Sequence, residues 1–132
     1  MNKKIKFNKL IPELSVTDIN KSLEFYKNIG FRVVYKREED KLFFLELEGS
    51  QIMIQQNNNN WNVAVLEYPY GRGINLSIEV KDIEKIYKKV KEHKYKLFLD
   101  IETHSYKVEE KIYNDIEFII LDPDGYMLRF TN

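Results

Sequence analysis

Val16-Thr17-Asp18-Ile19, near the start of the chain, returns as Val80-Lys81-Asp82-Ile83. Each copy stands between an alternating apolar stretch and one with helical spacing. After the first copy Ile19, Leu23, Tyr26 and Ile29 recur at helical intervals, with Asp18 placed to cap the free amides of the first turn and Gly30 to close the last. After the second, Asp82 is the cap, Ile83, Ile86, Tyr87 and Val90 form the stripe, and Glu84 and Lys88 have the spacing of an i,i+4 ion pair. Strand-like residues follow each helix, first Phe31 to Tyr35 and later Leu97-Phe98-Leu99. A hairpin then closes each half: Leu42 to Glu48, a Gly49-Ser50 turn and Gln51 to Gln56 in one, and Ile116 to Leu121, a turn at Asp122-Pro123-Asp124-Gly125 and Tyr126 to Thr131 in the other.

Each half therefore reads β-α-β-β-β. The spacing predicts an α+β fold in which 1–132 form one domain, with module one over about 8–56, a linker over about 57–73 and module two over about 74–132. The linker holds Asn57-Asn58-Asn59-Asn60-Trp61 and Tyr68-Pro69-Tyr70-Gly71-Arg72-Gly73, rich in turn formers and large aromatics. Glu102 to Asn114 reads as a second irregular stretch, with His104 in a loop.

The 132 residues suit one core, and 43% hydrophobic with 32% charged residues supply it. Lys+Arg and Asp+Glu number 21 each. With no net charge there is no overall field to draw in nucleic acid or an anionic membrane. The Lys-rich start, Met1-Asn2-Lys3-Lys4-Ile5-Lys6, reads as a solvated terminus. Without cysteine the chain has no disulfide, thiolate ligand or thiol nucleophile. No apolar run approaches a membrane span of about 20 residues, so the expected location is the cytoplasm.

Because side chains alternate across a strand, parity sorts the two faces. Leu14 and Val16, Ile52 and Ile54, Leu76, Ile78 and Val80, and Leu128 and Phe130 form an even-numbered apolar set suited to packing under the helices. The odd-numbered set is more polar: Ile11, Glu13 and Ser15; Gln51, Met53 and Gln55; Asn75, Ser77 and Glu79; Met127, Arg129 and Thr131. By itself this describes either an ordinary solvent-facing side or a curled sheet lining a groove.

Ile11-Pro12-Glu13-Leu14-Ser15-Val16-Thr17-Asp18, with Phe25-Tyr26 and Gly30-Phe31 downstream, resembles the first strand and helix of the vicinal-oxygen-chelate superfamily, which includes glyoxalase I, the bleomycin resistance proteins and the extradiol dioxygenases. Asp122-Pro123-Asp124-Gly125-Tyr126-Met127-Leu128-Arg129-Phe130 is similar to the terminal hairpin of that superfamily. The resemblance covers nearly the whole chain and implies paired modules whose sheets curl around a cleft, usually in a homodimer. In the metalloenzymes four His, Glu or Gln side chains hold a divalent ion there. Aligned by motif, those places fall on Ile11, Gln55, Asn75 and Arg129. Ile11 has no lone pair, the two amides are neutral, and Arg129 is a permanent cation, so three good ligands cannot be assembled. His93, near a helix end, and His104 are elsewhere, and no Ser-His-Asp or Cys-His set is available.

Arg129 between Leu128 and Phe130, together with Pro12, resembles the non-metal bleomycin resistance proteins, closest among these families. The resemblance implies a homodimer that sequesters a planar amphiphile without chemistry: no catalytic residue, no metal, no cofactor. Its ligand-binding residues are expected to be Glu13, Gln55, Asn75 and Arg129 on the groove floor, with Phe44, Trp61 and Tyr106 as stacking surfaces. Phe44 shares a strand face with Glu46 and Glu48, which suits a cationic ring. The strongly acidic balance of proteins that capture cationic bleomycin is absent, so bleomycin is one candidate ligand among others. Two alternatives remain. One is an enzyme of the same superfamily with an altered site, using Glu13 or Glu46 as base and Arg129 to hold an anion. The other is a degenerate module whose groove is filled by its own side chains.

Overall fold

The structure, a computed structural model, describes residues 4–132; the Met1-Asn2-Lys3 part of the Lys-rich start lies outside them. The chain forms two compact units, one up to Leu66 and the other from Glu67 onward.

In the first unit β1 (Glu13–Val16) leads into α1 (Ile19–Asn28), followed by β2 (Arg32–Arg37), β3 (Leu42–Leu47) and β4 (Ser50–Gln56). The helix starts where expected, because the Asp18 carboxylate accepts from the amides of Asn20 and Lys21. Gln56 adds a second cap, its Oε1 accepting from the Ile19 amide at 3.0 Å and its Nε2 donating to the Thr17 carbonyl at 2.7 Å. One orphan donor of the helix, the Ile19 amide, is thereby satisfied from β4, beside the two taken by Asp18. The buried stripe of α1 is Ile19, Ser22, Phe25, Tyr26 and Ile29, rotated from the expected one, with Leu23 half-buried at its edge. Phe25 is buried in that stripe, its ring edge-on to Tyr26 at 5.1 Å.

The sheet order is β1-β4-β3-β2, with β1 parallel to β4 and the other pairs antiparallel. The β3–β4 turn is Glu48-Gly49, one residue earlier than the sequence suggested. Both have positive φ, 47° and 89°, so Leu47 pairs with Ser50 as a two-residue hairpin demands. Glu48 is therefore a turn residue and not a strand neighbour of Phe44.

The second unit repeats the plan: β5 (Asn75–Glu79), α2 (Ile83–Glu92), β6 (Leu97–Val108), β7 (Lys111–Leu121) and β8 (Met127–Thr131), in sheet order β5-β8-β7-β6. Asp82 caps α2 through the Lys85 amide; Ile83, Ile86 and Val90 are buried. Lys88 pairs with Glu92 rather than with Glu84. Phe118 and Phe130, partners across β7 and β8, stack at 5.2 Å and are fully buried, each ring contributing roughly 1.5–3 kcal/mol by its burial. The even-numbered set predicted to be core is buried apart from Leu76, which is half-buried.

The largest departure from the sequence reading is at Glu102 to Asn114. It is not irregular: it forms the outer part of the β6–β7 hairpin, turning at the left-handed Glu109. His104 is on a strand. The ribbon hides little apolar area and is held by cross-strand pairs. Tyr106 stacks on its partner Tyr113 at 5.5 Å, and the Ser105 hydroxyl donates to Asn114 Oδ1, the kind of pairing that stabilises an exposed sheet.

Before β5 the chain folds back on the terminal turn. Asp122 Oδ1 accepts from the amides of Asp124 and Tyr126, and the Tyr70 amide donates to the Asp124 carbonyl. The Tyr68-Pro69 peptide is cis.

Candidate functional site

Strand register fixes which polar side chains are neighbours. On the face of the first sheet away from α1, Glu13, Met53, Phe44 and Tyr35 form one row; Ser15, Gln55, Leu42 and Arg37 a second; Gln51, Glu46 and Arg32 a third. Glu13 and Gln55, both expected at the site, thus lie in adjacent rows. Gln55 is buried, and its Nε2 donates to the Asp40 carbonyl at 3.3 Å.

Phe44 is in the row expected but is only 1% exposed. Tyr35 stacks on it at 5.0 Å with 17° between the rings, and Phe7, from the segment before β1, meets it edge-on at 5.3 Å. Beside them Gln51 makes three hydrogen bonds. Its Oε1 accepts from the Asn8 amide, and its Nε2 donates to the Lys6 carbonyl and to Glu46 Oε2, each at 2.8 Å. The amide of Gln51 and the Arg32 guanidinium hold the Glu46 carboxyl below its ordinary range. Sequence reasoning placed Gln51 on this face but missed Phe7, because an isolated aromatic in a Lys-rich terminus carries no periodicity.

Trp61, in the loop after β4, is 70% exposed. A cavity of about 520 Å³ opens beside the start of α1, lined in part by Asp18, Lys36, Arg37 and Lys41. The helix amides there are already used by Asp18 and Gln56, so they offer nothing to an anion.

In the second unit the corresponding rows are Asn75, Met127 and Leu121; Ser77, Arg129, Ile119 and Leu99; and Glu79, Thr131, Glu117 and Glu102. Asn75 is exposed, one row from Arg129. Arg129 is partly buried; its Nη1 lies 3.9 Å from Glu117 Oε2, and its Nε is buried with no hydrogen-bond partner among the described residues. His104 Nε2 is 2.6 Å from Glu102 Oε1 and 3.4 Å from Glu117 Oε1. These three residues offer ligand atoms within 4.8 Å of one another, a grouping that an irregular Glu102 to Asn114 would not bring together. Tyr106 follows two residues after His104 on the same side of β6; desolvation by its neighbours and the Asp115 carboxylate push its hydroxyl pKa up. His93 caps the end of α2, stacked on Tyr95.

The family model described as the Glyoxalase/Bleomycin resistance protein/Dioxygenase superfamily matches residues 10–130. The chain belongs to that superfamily. A glyoxalase/bleomycin resistance protein/dioxygenase superfamily member from Vibrio splendidus 12B01 is 33% identical, covering 92% of this chain and 94% of that one, with a TM-score of 0.43. The glyoxalase/bleomycin resistance protein/dioxygenase from Alicyclobacillus acidocaldarius is 20% identical over 94% of this chain and 89% of that one, with a TM-score of 0.65. A bleomycin resistance determinant encoded on the transposon Tn5 is 15% identical over 96% and 98%, with a TM-score of 0.66. No curated protein matches.

Measured against the superfamily's metal-binding members, the donor set here does not fit. Of the four motif-aligned positions, Ile11 has no donor atom, Gln55 and Asn75 have neutral amides, and Arg129 is a cation already beside Glu117. No helix among the described residues is long and apolar enough to cross a membrane.

Proposed function

We propose that this superfamily member is a metal-independent binding protein of the bleomycin-resistance type, a cytoplasmic homodimer that sequesters a planar amphiphilic ligand in a groove. The observation that carries the reading is Arg129. A guanidinium stands where a metalloenzyme of the superfamily would need an electron-pair donor, and its buried Nε–H has no acceptor among the described residues. A buried donor without a partner is costly, so a ligand oxygen placed there stabilises the complex twice, by hydrogen bond and by charge. Asn75 and Glu13 add polar groups; exposed Trp61 and the Tyr106–Tyr113 pair add flat surfaces. Gln55, one row from Glu13, and Phe44, beneath Phe7, complete the proposed set.

A thermal-shift and calorimetric screen of planar amphiphiles, metal-free bleomycin among them, tests this. At least one should bind saturably and raise the melting temperature, with affinity unchanged by chelator. Trp61→Ala should weaken it; unchanged affinity in that variant removes Trp61 from the site.

A second reading is favoured by one cluster. Glu102, His104 and Glu117 put an imidazole between two carboxylates on the same face as Arg129. That arrangement could serve an enzyme of the superfamily with an altered site, as a general base beside an anion-holding arginine or as a three-ligand metal set. Stoichiometric metal in the purified protein, or turnover abolished by chelator and by His104→Ala, selects this second reading over sequestration.

A further inference from the structure

The segment before β1 shows how a ligand can be held on the first sheet. Residues 4–10 have no helix or strand and are all exposed. Phe7 itself is 52% exposed, yet it roofs Phe44, which is 1% exposed. It also meets Tyr35 edge-on at 6.2 Å. The main chain on either side of that ring is read by one side chain: Gln51 accepts from the amide after Phe7 and donates to the carbonyl before it. Glu46 takes the second Nε2 hydrogen of Gln51, and Arg32 holds Glu46. This fixes the orientation of the Gln51 amide, with its oxygen toward Asn8 and its nitrogen toward Lys6. Asn8 Nδ2 adds one bond to the Gly49 carbonyl.

We infer that Tyr35, Phe44 and Gln51 form a binding site for an aromatic ring flanked by amides, the chemistry of a peptide or peptidic small molecule, and that Phe7 is its built-in, displaceable occupant. The site takes a ring against two aromatic walls and one amide group on each side of it, and does not depend on the identity of the flanking side chains. Displacement is feasible because the segment gains only one half-buried ring and a few hydrogen bonds against the conformational entropy of ordering an otherwise unsupported stretch. A ligand with the same groups joined more rigidly loses less on binding. The inference deepens the sequestration reading, on which it rests for its biological sense, by naming the ligand class and what competes with it.

The test uses the acetylated, amidated heptapeptide Lys-Ile-Lys-Phe-Asn-Lys-Leu, the sequence of residues 4–10, titrated by calorimetry into the full chain and into Phe7→Ala. Binding at least about tenfold tighter to Phe7→Ala is expected, since the internal competitor has lost its ring. The same peptide with alanine in place of phenylalanine should not bind. Circular dichroism establishes that Phe7→Ala is folded. Gln51→Met in the Phe7→Ala background should abolish binding, and Gln51→Met alone should speed proteolysis of the first ten residues, a readout that stands even if Phe7→Ala does not fold. Equal peptide affinity for the two chains, or proteolysis unaffected by Gln51→Met, overturns the inference. A planar amphiphile binding both chains equally while the peptide shows no preference leaves sequestration standing and removes the built-in occupant. Peptide binding with no amphiphile bound does the reverse.

Discussion

Gly125 separates what a backbone conformation costs from what a close approach costs. Its φ is +95°, and a Cβ built on it would stand 2.5 Å from Pro69 Cβ and 2.6 Å from Pro69 Cα. Gly73, in the same unit, has φ +87° and nothing within 4 Å of such a Cβ. Gly73→Ala should therefore show the conformational term alone, about 1–2 kcal/mol for an L-residue in the left-handed region. Gly125→Ala adds a clash that flexible atoms cannot absorb, because one of the atoms met is main chain. Pro69 would have to retreat roughly 1 Å to reach ordinary carbon–carbon separation. That retreat strains the Tyr70 amide bond to Asp124 at 2.8 Å and the Arg72 Nε bond to the Pro69 carbonyl at 3.2 Å. At about 1 kcal/mol for each of these, the total is about 3–4 kcal/mol, some 2 kcal/mol beyond Gly73→Ala. Urea unfolding followed by far-ultraviolet circular dichroism reads the difference directly. Two variants destabilised equally, within about 0.5 kcal/mol, would refute the packing of the 68–70 segment onto the terminal turn.

Asp18→Ala removes the acceptor at the start of α1 and should lower stability by about 1 kcal/mol, measured in the same way; Gln56 continues to hold the Ile19 amide, which keeps the loss modest. Glu46 has its pKa depressed in the folded chain, so its contribution is present above the ordinary glutamate value near about 4.3 and is lost as pH falls through the lower folded value. The Asn8 amide resonance should shift toward its free position across that acid window, and in Glu46→Gln the shift should not follow pH there. Arg129→Lys keeps the charge but removes the Nε donor, so the affinity for an amphiphile found in the screen should fall about tenfold, equivalent to about 1.4 kcal/mol, by calorimetry. Phe118→Ala should cost about 3–5 kcal/mol by cavity formation in the second unit, seen as a lowered urea midpoint.

The repeated Val-x-Asp-Ile was informative because it combines a strand end, a cap and the first buried helix residue, three local requirements that no tertiary contact has to supply. The same holds for the even-numbered strand residues, whose burial follows from alternation alone. The β6–β7 ribbon escaped detection for the opposite reason. Tyr106, Ile112 and Tyr113 are exposed, neither side packs on a helix, and cross-strand pairing leaves no one-sided apolar pattern to read. Of the candidate site, the face carrying Glu13 and Gln55 in the first unit and the face carrying Asn75 and Arg129 in the second were each legible as parity. What each group on those faces bonds to was not, since Phe7 reaches Phe44, and His104 reaches Glu117, only once the chain is folded. Glu48 was misplaced because a strand and a left-handed turn differ there by one residue, and glutamate gives no hint of positive φ.

In each unit the strand made last lies between two strands made earlier: β4 between β1 and β3, and β8 between β5 and β7. During synthesis, β5 and β7 of the second unit thus emerge before the strand that must separate them, and wait with unpaired edges until residues 127–131 clear the ribosome. Loss of residues 127–131 would delete an interior strand rather than trim an edge, so a stop codon at position 127 should be as damaging as losing the whole second unit.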